Sequence, residues 1–261
     1  MSWRILKYIE HLFYLGHRKG HGIHSPYLFE FLNAAVFNGL KVKVPAEILS
    51  VHRELKGDRS MIPVGKLGAA SNVDSSGERS VASFVRNSSV SEKYAALLYR
   101  ISQWVKPDII IELGSGLGIS TLYLASGSPG VPLHSIEGNC DRASFAAILL
   151  SRAGLASTSV HWGEMGEKLE DIVPMINGRF MAFVDGNHRY EPTIAYVRKL
   201  MECAGEDSLI IMDDIYWSKG MHAAWKEVIS WPGVRVSIDL YHMGILLLRS
   251  DLDKASVKIN F

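Results

Sequence analysis

Ile109-Ile-Ile-Glu112-Leu-Gly114-Ser-Gly116-Leu-Gly118-Ile-Ser-Thr121 runs from an apolar stretch through three alternating glycines into a helical pattern. Such a run is a buried strand that turns sharply into a helix. The glycines admit a ligand against bare main chain. The helix behind them offers free N–H groups and partial positive charge to an anionic group. A glycine-rich turn alone is a weak signal, and its flanks sharpen it. The dinucleotide fingerprint GxGxxG needs glycine at 119, where isoleucine stands. Glu112 at the strand end would repel a pyrophosphate but suits a cationic amino group.

Outward from this turn, apolar runs at 109–113, 133–136, 159–162, 180–184 and 209–212 alternate with helical patterns at 119–125, 142–153, 167–173, 193–203 and 220–229. Strands separated by crossover helices imply a parallel sheet covered on both faces. Runs at 234–239 and 244–249 lack room for a helix between them and must form an antiparallel hairpin. The fold class is therefore α/β, a doubly wound, mostly parallel sheet of seven strands closed by an antiparallel C-terminal hairpin strand. Residues 1–90 form a helical extension with a flexible flap, and residues 91–261 the main domain. In the extension, Ser25-Pro26 reads as a helix cap with proline at the first helical position. Residues 65–91 are rich in glycine, serine and asparagine and read as a mobile loop with at most one short helix. A helix follows over 91–104.

Residues 1–15 have an amphipathic pattern, with Trp3, Leu6, Ile9, Leu12 and Phe13 toward one side. This helix is expected to dock on its own core, on a second copy in a homodimer, or on a membrane surface. It lacks the unbroken apolar run of a signal peptide, and no stretch is long enough to span a bilayer. Lysine and arginine (28) balance aspartate and glutamate (27), which gives no global field for nucleic acid. Cys140 and Cys203 form no CxxC pair, and a reduced, cytoplasmic setting is the simple reading.

Ser135-Ile-Glu137 closes the second strand and places a carboxylate where it can hold both hydroxyls of a ribose. The alternative is a solvated loop acid. The fourth strand ends in Asp185-Gly-Asn-His188 and the fifth in Asp213-Asp214. Adjacent parallel strands bring these acids to one cleft, where clustered like charge calls for a cation. Oxygen ligands with open positions suit Mg2+. Alternatively, Asp213 and Asp214 cap the next helix while Asp185 touches a cofactor.

Glu112-x-Gly-x-Gly-x-Gly118 followed by Glu137 resembles the cofactor site of class I S-adenosylmethionine-dependent methyltransferases, over roughly residues 91–249. The resemblance implies a Rossmann-like methyltransferase fold. It lays Gly114, Ser115, Gly116, Gly118 and Ser120 against the methionine part of S-adenosylmethionine, beside Glu112. Glu137 and Gly138 would lie at the ribose, Gly163 and Glu164 near the adenine, and Asp185 near the reacting end. The acidic pattern is similar to the cation-dependent O-methyltransferases, of the catechol and caffeoyl-CoA types and more closely of the macrocin sugar type. Asp185, Asp213 and Asp214 match their metal ligands. Asn187 stands where the sugar-type enzymes have an aspartate base, which leaves His188 as the candidate base beside Asp185. Its other role is to order the loop or contact the cofactor.

The expected activity is methyl transfer to a hydroxyl oxygen of a small molecule with a divalent cation. The alternatives are metal-independent N- or O-methyl transfer, an NAD-dependent oxidoreductase and a non-catalytic binding protein. His17, His21 and His24 suggest a second metal site less than a loop over the substrate cleft, because Gly16, Gly20, Gly22 and Pro26 interrupt a helix there.

Overall fold

The computed structural model describes residues 3–14, 25–37, 42–63, 77–205 and 207–261. Five parallel strands form the centre: β3 (Ile109–Leu113), β4 (Leu133–Glu137), β5 (Thr158–Trp162), β6 (Phe180–Val184) and β7 (Leu209–Asp213). Their spatial order is β5-β4-β3-β6-β7, so the winding reverses between β3 and β6. Ligands bind open α/β sheets at such a reversal, beyond the carboxyl ends of the strands. Strands β3 and β6 are buried along their whole length, as apolar strands between two helical layers must be. Period two still sorts their side chains. Ile110 packs into the core of one face, and Ile109, Ile111 and Leu113 into that of the other.

Helices α5 (Glu92–Val105), α6 (Ile119–Gly127) and α7 (Cys140–Arg152) contribute to the first core. Helices α8 (Met165–Ile172), α9 (Tyr190–Glu202) and α10 (Lys219–Val228) contribute to the second. The expected hairpin is present. Strand β8 (Val236–Asp239) pairs antiparallel with β9 (Met243–Leu247), and β9 pairs antiparallel with β7. The sheet has eight strands rather than seven, because β10 (Ala255–Lys258) adds itself parallel to β8 at the edge. Only Val257 of that strand is buried, so it leaves no apolar run to read.

Before α5, the chain forms α1 (Trp3–Leu12), α2 (Pro26–Phe31) and α3 (Ala46–Gly57). The pairing of β1 (Met61–Pro63) with β2 (Glu78–Ser80) and helix α4 (Val81–Ser88) follow. Ser25 caps α2 as expected, its hydroxyl accepting from Leu28 N at 3.3 Å, and a π-helical turn over Leu32–Phe37 extends that helix. Phe31, Leu32, Leu55 and Val81 join the first core. His17, His21 and His24 lie outside the described residues, as do residues 65–76 of the expected flap.

Helix α1 docks with Trp3 of the expected face but not with most of the rest of it. Leu6 and Phe13 are exposed, whereas His11 is buried and Trp3 lies 5.6 Å from the His222 ring. The receiving surface includes Tyr216, Tyr241 and His222, so aromatic and polar side chains of the helix face inward. Among the described residues, no helix is long and apolar enough to cross a membrane.

Candidate functional site

The glycine turn lies at the sheet's reversal point. Gly114, Gly116 and Gly118 all have positive φ, and a Cβ on Gly114 would stand 2.3 Å from the carbonyl oxygen of Asp185. Only glycine lets the ends of β3 and β6 come that close. The turn is tied to β4 by Gly114 N, which donates to Ile136 O at 2.8 Å. Glu137 then meets it directly, its Oε2 accepting from Gly116 N at 2.9 Å. The other oxygen, Oε1, accepts from Asn139 N at 2.9 Å and from Arg142 Nη2 at 2.6 Å. Arg142 had a sequence signal of its own. It is a cation in the first turn of a helix, where the macrodipole disfavours it, so a compensating acid was to be expected.

Glu112 is fully buried beneath the turn. Ser135 Oγ donates to its Oε2 at 2.5 Å, Thr121 Oγ1 donates to the same oxygen, and Ser120 also hydrogen-bonds the carboxyl. Burial raises its pKa against those hydrogen bonds, and Oε1 is left without a partner, as is the buried hydroxyl of Ser115. Two orphaned polar atoms at a glycine turn fit a polar ligand. Across the β4–β5 edge, Gly163 N donates to Glu137 O at 3.1 Å, and Gly138 lies opposite the Gly163 carbonyl. The Glu164 side chain caps α8, accepting from Glu167 N at 2.9 Å.

The acids gather at the ends of β6 and β7. The carboxyls of Asp185 and Asp213 are close enough to share a hydrogen bond. Burial raises both pKa values well above the ordinary carboxylate range, and the charge of Asp214 raises both further. Asp214 completes this field rather than a tight trio, since no group of three or more His, Cys, Asp or Glu gathers at metal-holding distance among the described residues. His188 Nε2 lies 3.5 Å from Asp185 Oδ1, and burial lowers its pKa. Asn187, His188 and Asp214 all have positive φ. Such backbone in non-glycine residues costs about 1 kcal/mol or more each and concentrates at functional loops. Trp217 was not anticipated from the sequence. Half-exposed, it stands beside His188 with ring centroids 6.2 Å apart.

Residues 111–215, from the third residue of β3 to just beyond the acidic pair, match the model of a family described as a methyltransferase domain. Over these residues the chain is similar to a methyltransferase domain. No curated protein matches the sequence at a significant level. Among solved structures, an O-methyltransferase from Bacillus cereus in complex with SAH is 16% identical over 85% of this chain and 97% of its own, with a TM-score of 0.55. SAH-bound methyltransferase PaMTH1 from Podospora anserina is 12% identical over 88% and 100%, with a TM-score of 0.60. The O-methyltransferase TomG from Streptomyces achromogenes, in complex with SAM, is 18% identical over 83% and 96%, with a TM-score of 0.55. At these identities the likeness is one of fold alone. The domain places its glycine turn and its acidic loops on the same edge of the sheet.

Proposed function

We propose that the protein transfers the methyl group of S-adenosylmethionine to a hydroxyl oxygen of a small molecule, with a divalent cation at the acceptor. The observation that carries this reading is the meeting of Asp185 and Asp213 beside the glycine turn. Two half-buried carboxyls of raised pKa are a pair that a divalent cation would compensate. Oxygen donors of this kind suit Mg2+. Asp185, Asp213 and Asp214 would hold the cation, whose chemistry there is to bind acceptor oxygens and lower the pKa of a hydroxyl.

Gly114, Ser115, Gly116, Gly118 and Ser120 would line the methionine part of the cofactor, with the free oxygen of Glu112 within reach of polar hydrogens. Glu137 and Gly138 would take the ribose, and the backbone of Gly163 and Glu164 the adenine. Because the sulfonium already provides a leaving group, the residues around it need mainly to align the nucleophile with the S–CH3 bond. His188 would accept the hydroxyl proton on its imidazole, Asn187 beside it having no basic atom. The His188–Asp185 pair also supports a second reading, transfer without a metal, in which the imidazole alone serves as base.

Formation of S-adenosylhomocysteine with a panel of hydroxylated acceptors, with Mg2+ or with chelator, separates the two. Asp213→Ala should lower cation-stimulated turnover by roughly 100-fold or more, the scale of losing a main electrostatic partner of a reacting centre. It should keep the thermal stabilisation that S-adenosylhomocysteine gives. Equal turnover in chelator, together with a fully active variant, would remove the cation and leave the second reading.

A further inference from the structure

The acidic floor of the cleft faces a rim of opposite charge. Arg4, in the first turn of α1, holds its guanidinium 4.4 Å from the centre of the Trp217 ring. The start of that helix is pinned, since Tyr241 donates its hydroxyl to Arg4 O at 2.9 Å. Two further groups stand close by. Lys93 in the first turn of α5 lies 4.3 Å from the Phe261 ring, and exposed His242 stands 5.4 Å from Tyr94. Trp217 in turn stands beside His188, ring centroids 6.2 Å apart, and His188 Nε2 lies 3.5 Å from Asp185 Oδ1, so a continuous run of side chains joins Arg4 to the acids.

Among the described residues, neither Arg4 nor Lys93 forms an ion pair with a carboxylate, although acids lie nearby. Both occupy the N-terminal turn of a helix, where the macrodipole disfavours a cation. Stacking on Trp217 orients the guanidinium while leaving its N–H fork free for a planar anion.

We infer that the acceptor is a flat molecule carrying an anionic group, which Arg4 binds while the ring lies along Trp217 and the reacting hydroxyl points at Asp185 and Asp213. The inference rests on the methyl-transfer reading for which end of the acceptor reacts. The anion preference itself can be measured without turnover. A carboxylate at the rim and hydroxyls at the floor give such an acceptor one orientation, because reversal would set like charges together at both ends.

The probes are 3,4-dihydroxybenzoate and its neutral isostere 3,4-dihydroxybenzamide, titrated calorimetrically into the full chain with Mg2+, with and without S-adenosylhomocysteine. The carboxylate should bind roughly tenfold more tightly than the amide, the scale of one charge-assisted contact. Arg4→Met keeps the stem on Trp217 and should bring the ratio close to one, while Arg4→Lys should keep most of it. Added salt should erode the preference as well. Equal affinities in the unaltered protein, a preference that survives Arg4→Met, or no binding of either probe would overturn the inference. Thermal shift with S-adenosylhomocysteine keeps the two readings apart. Its absence would sink methyl transfer, whereas the carboxylate preference stands or falls by itself.

Discussion

At the scale of single residues, Gly114 makes the sharpest demand. A methyl group there would sit 2.3 Å from a backbone oxygen of the loop that carries Asp185, at a φ of +100°. No flexible side chain can move aside to relieve that contact. Gly114→Ala should therefore cost about 3 kcal/mol or more, read from urea unfolding midpoints, and should separate the glycine turn from the acidic loop. An unchanged midpoint would mean that the two loops are not in contact. Glu112, Glu137, Asp185 and Asp213 were legible in the sequence because each ends an apolar strand, and strand ends in this fold class converge. Arg4 and Trp217 were not. Their contact joins residues from opposite ends of the chain through the docking of α1, and no local spacing encodes it.

At the scale of elements, the central strands were legible because a strand buried on both faces must be an apolar run. Boundaries moved by one or two residues where capping decided them, as with Asn139, whose side chain accepts from Arg142 N at 2.9 Å and starts α7. Helix α1 went the other way, since periodicity finds an apolar face but not the surface that receives the helix. Phe13 is 77% exposed and His11 only 2%. Leu6→Gln and Phe13→Ser should therefore alter stability by no more than about 0.5 kcal/mol. His11→Ala removes a buried contact of Nε2 with Ile259 O at 2.8 Å and should cost about 2 kcal/mol. Chemical denaturation of the three variants checks this, and a reversed ranking would refute the docking of α1.

At the scale of the whole molecule, burial sets the response to acid. His11, His52, His134, His161, His188, His222 and His242 all have lowered pKa values, with burial the largest cause in each. A histidine whose folded pKa lies below its unfolded value contributes fully above about pH 6.5 and loses that contribution as pH falls toward the folded value. Buried acids with raised values, Glu112 among them, act in the opposite sense, so the net curve alone is ambiguous. His52 isolates the effect. Its pKa falls to about 4, its Nδ1 lies 3.0 Å from the Tyr123 hydroxyl, and its Nε2 is buried without a partner. Lys56 lowers the value further and Glu92 partly restores it. Protonation would thus put charge on a nitrogen that nothing solvates. Between pH 6.5 and 4 the unfolded chain binds a proton that the folded chain refuses, at most about 1.4 kcal/mol per pH unit from this site. His52→Gln should cost stability at pH 7.5, and that cost should shrink steadily as urea midpoints are followed down to pH 5. Parallel curves for variant and parent would mean that His52 titrates freely and that the interface between α3 and α6 is wetter than its packing indicates.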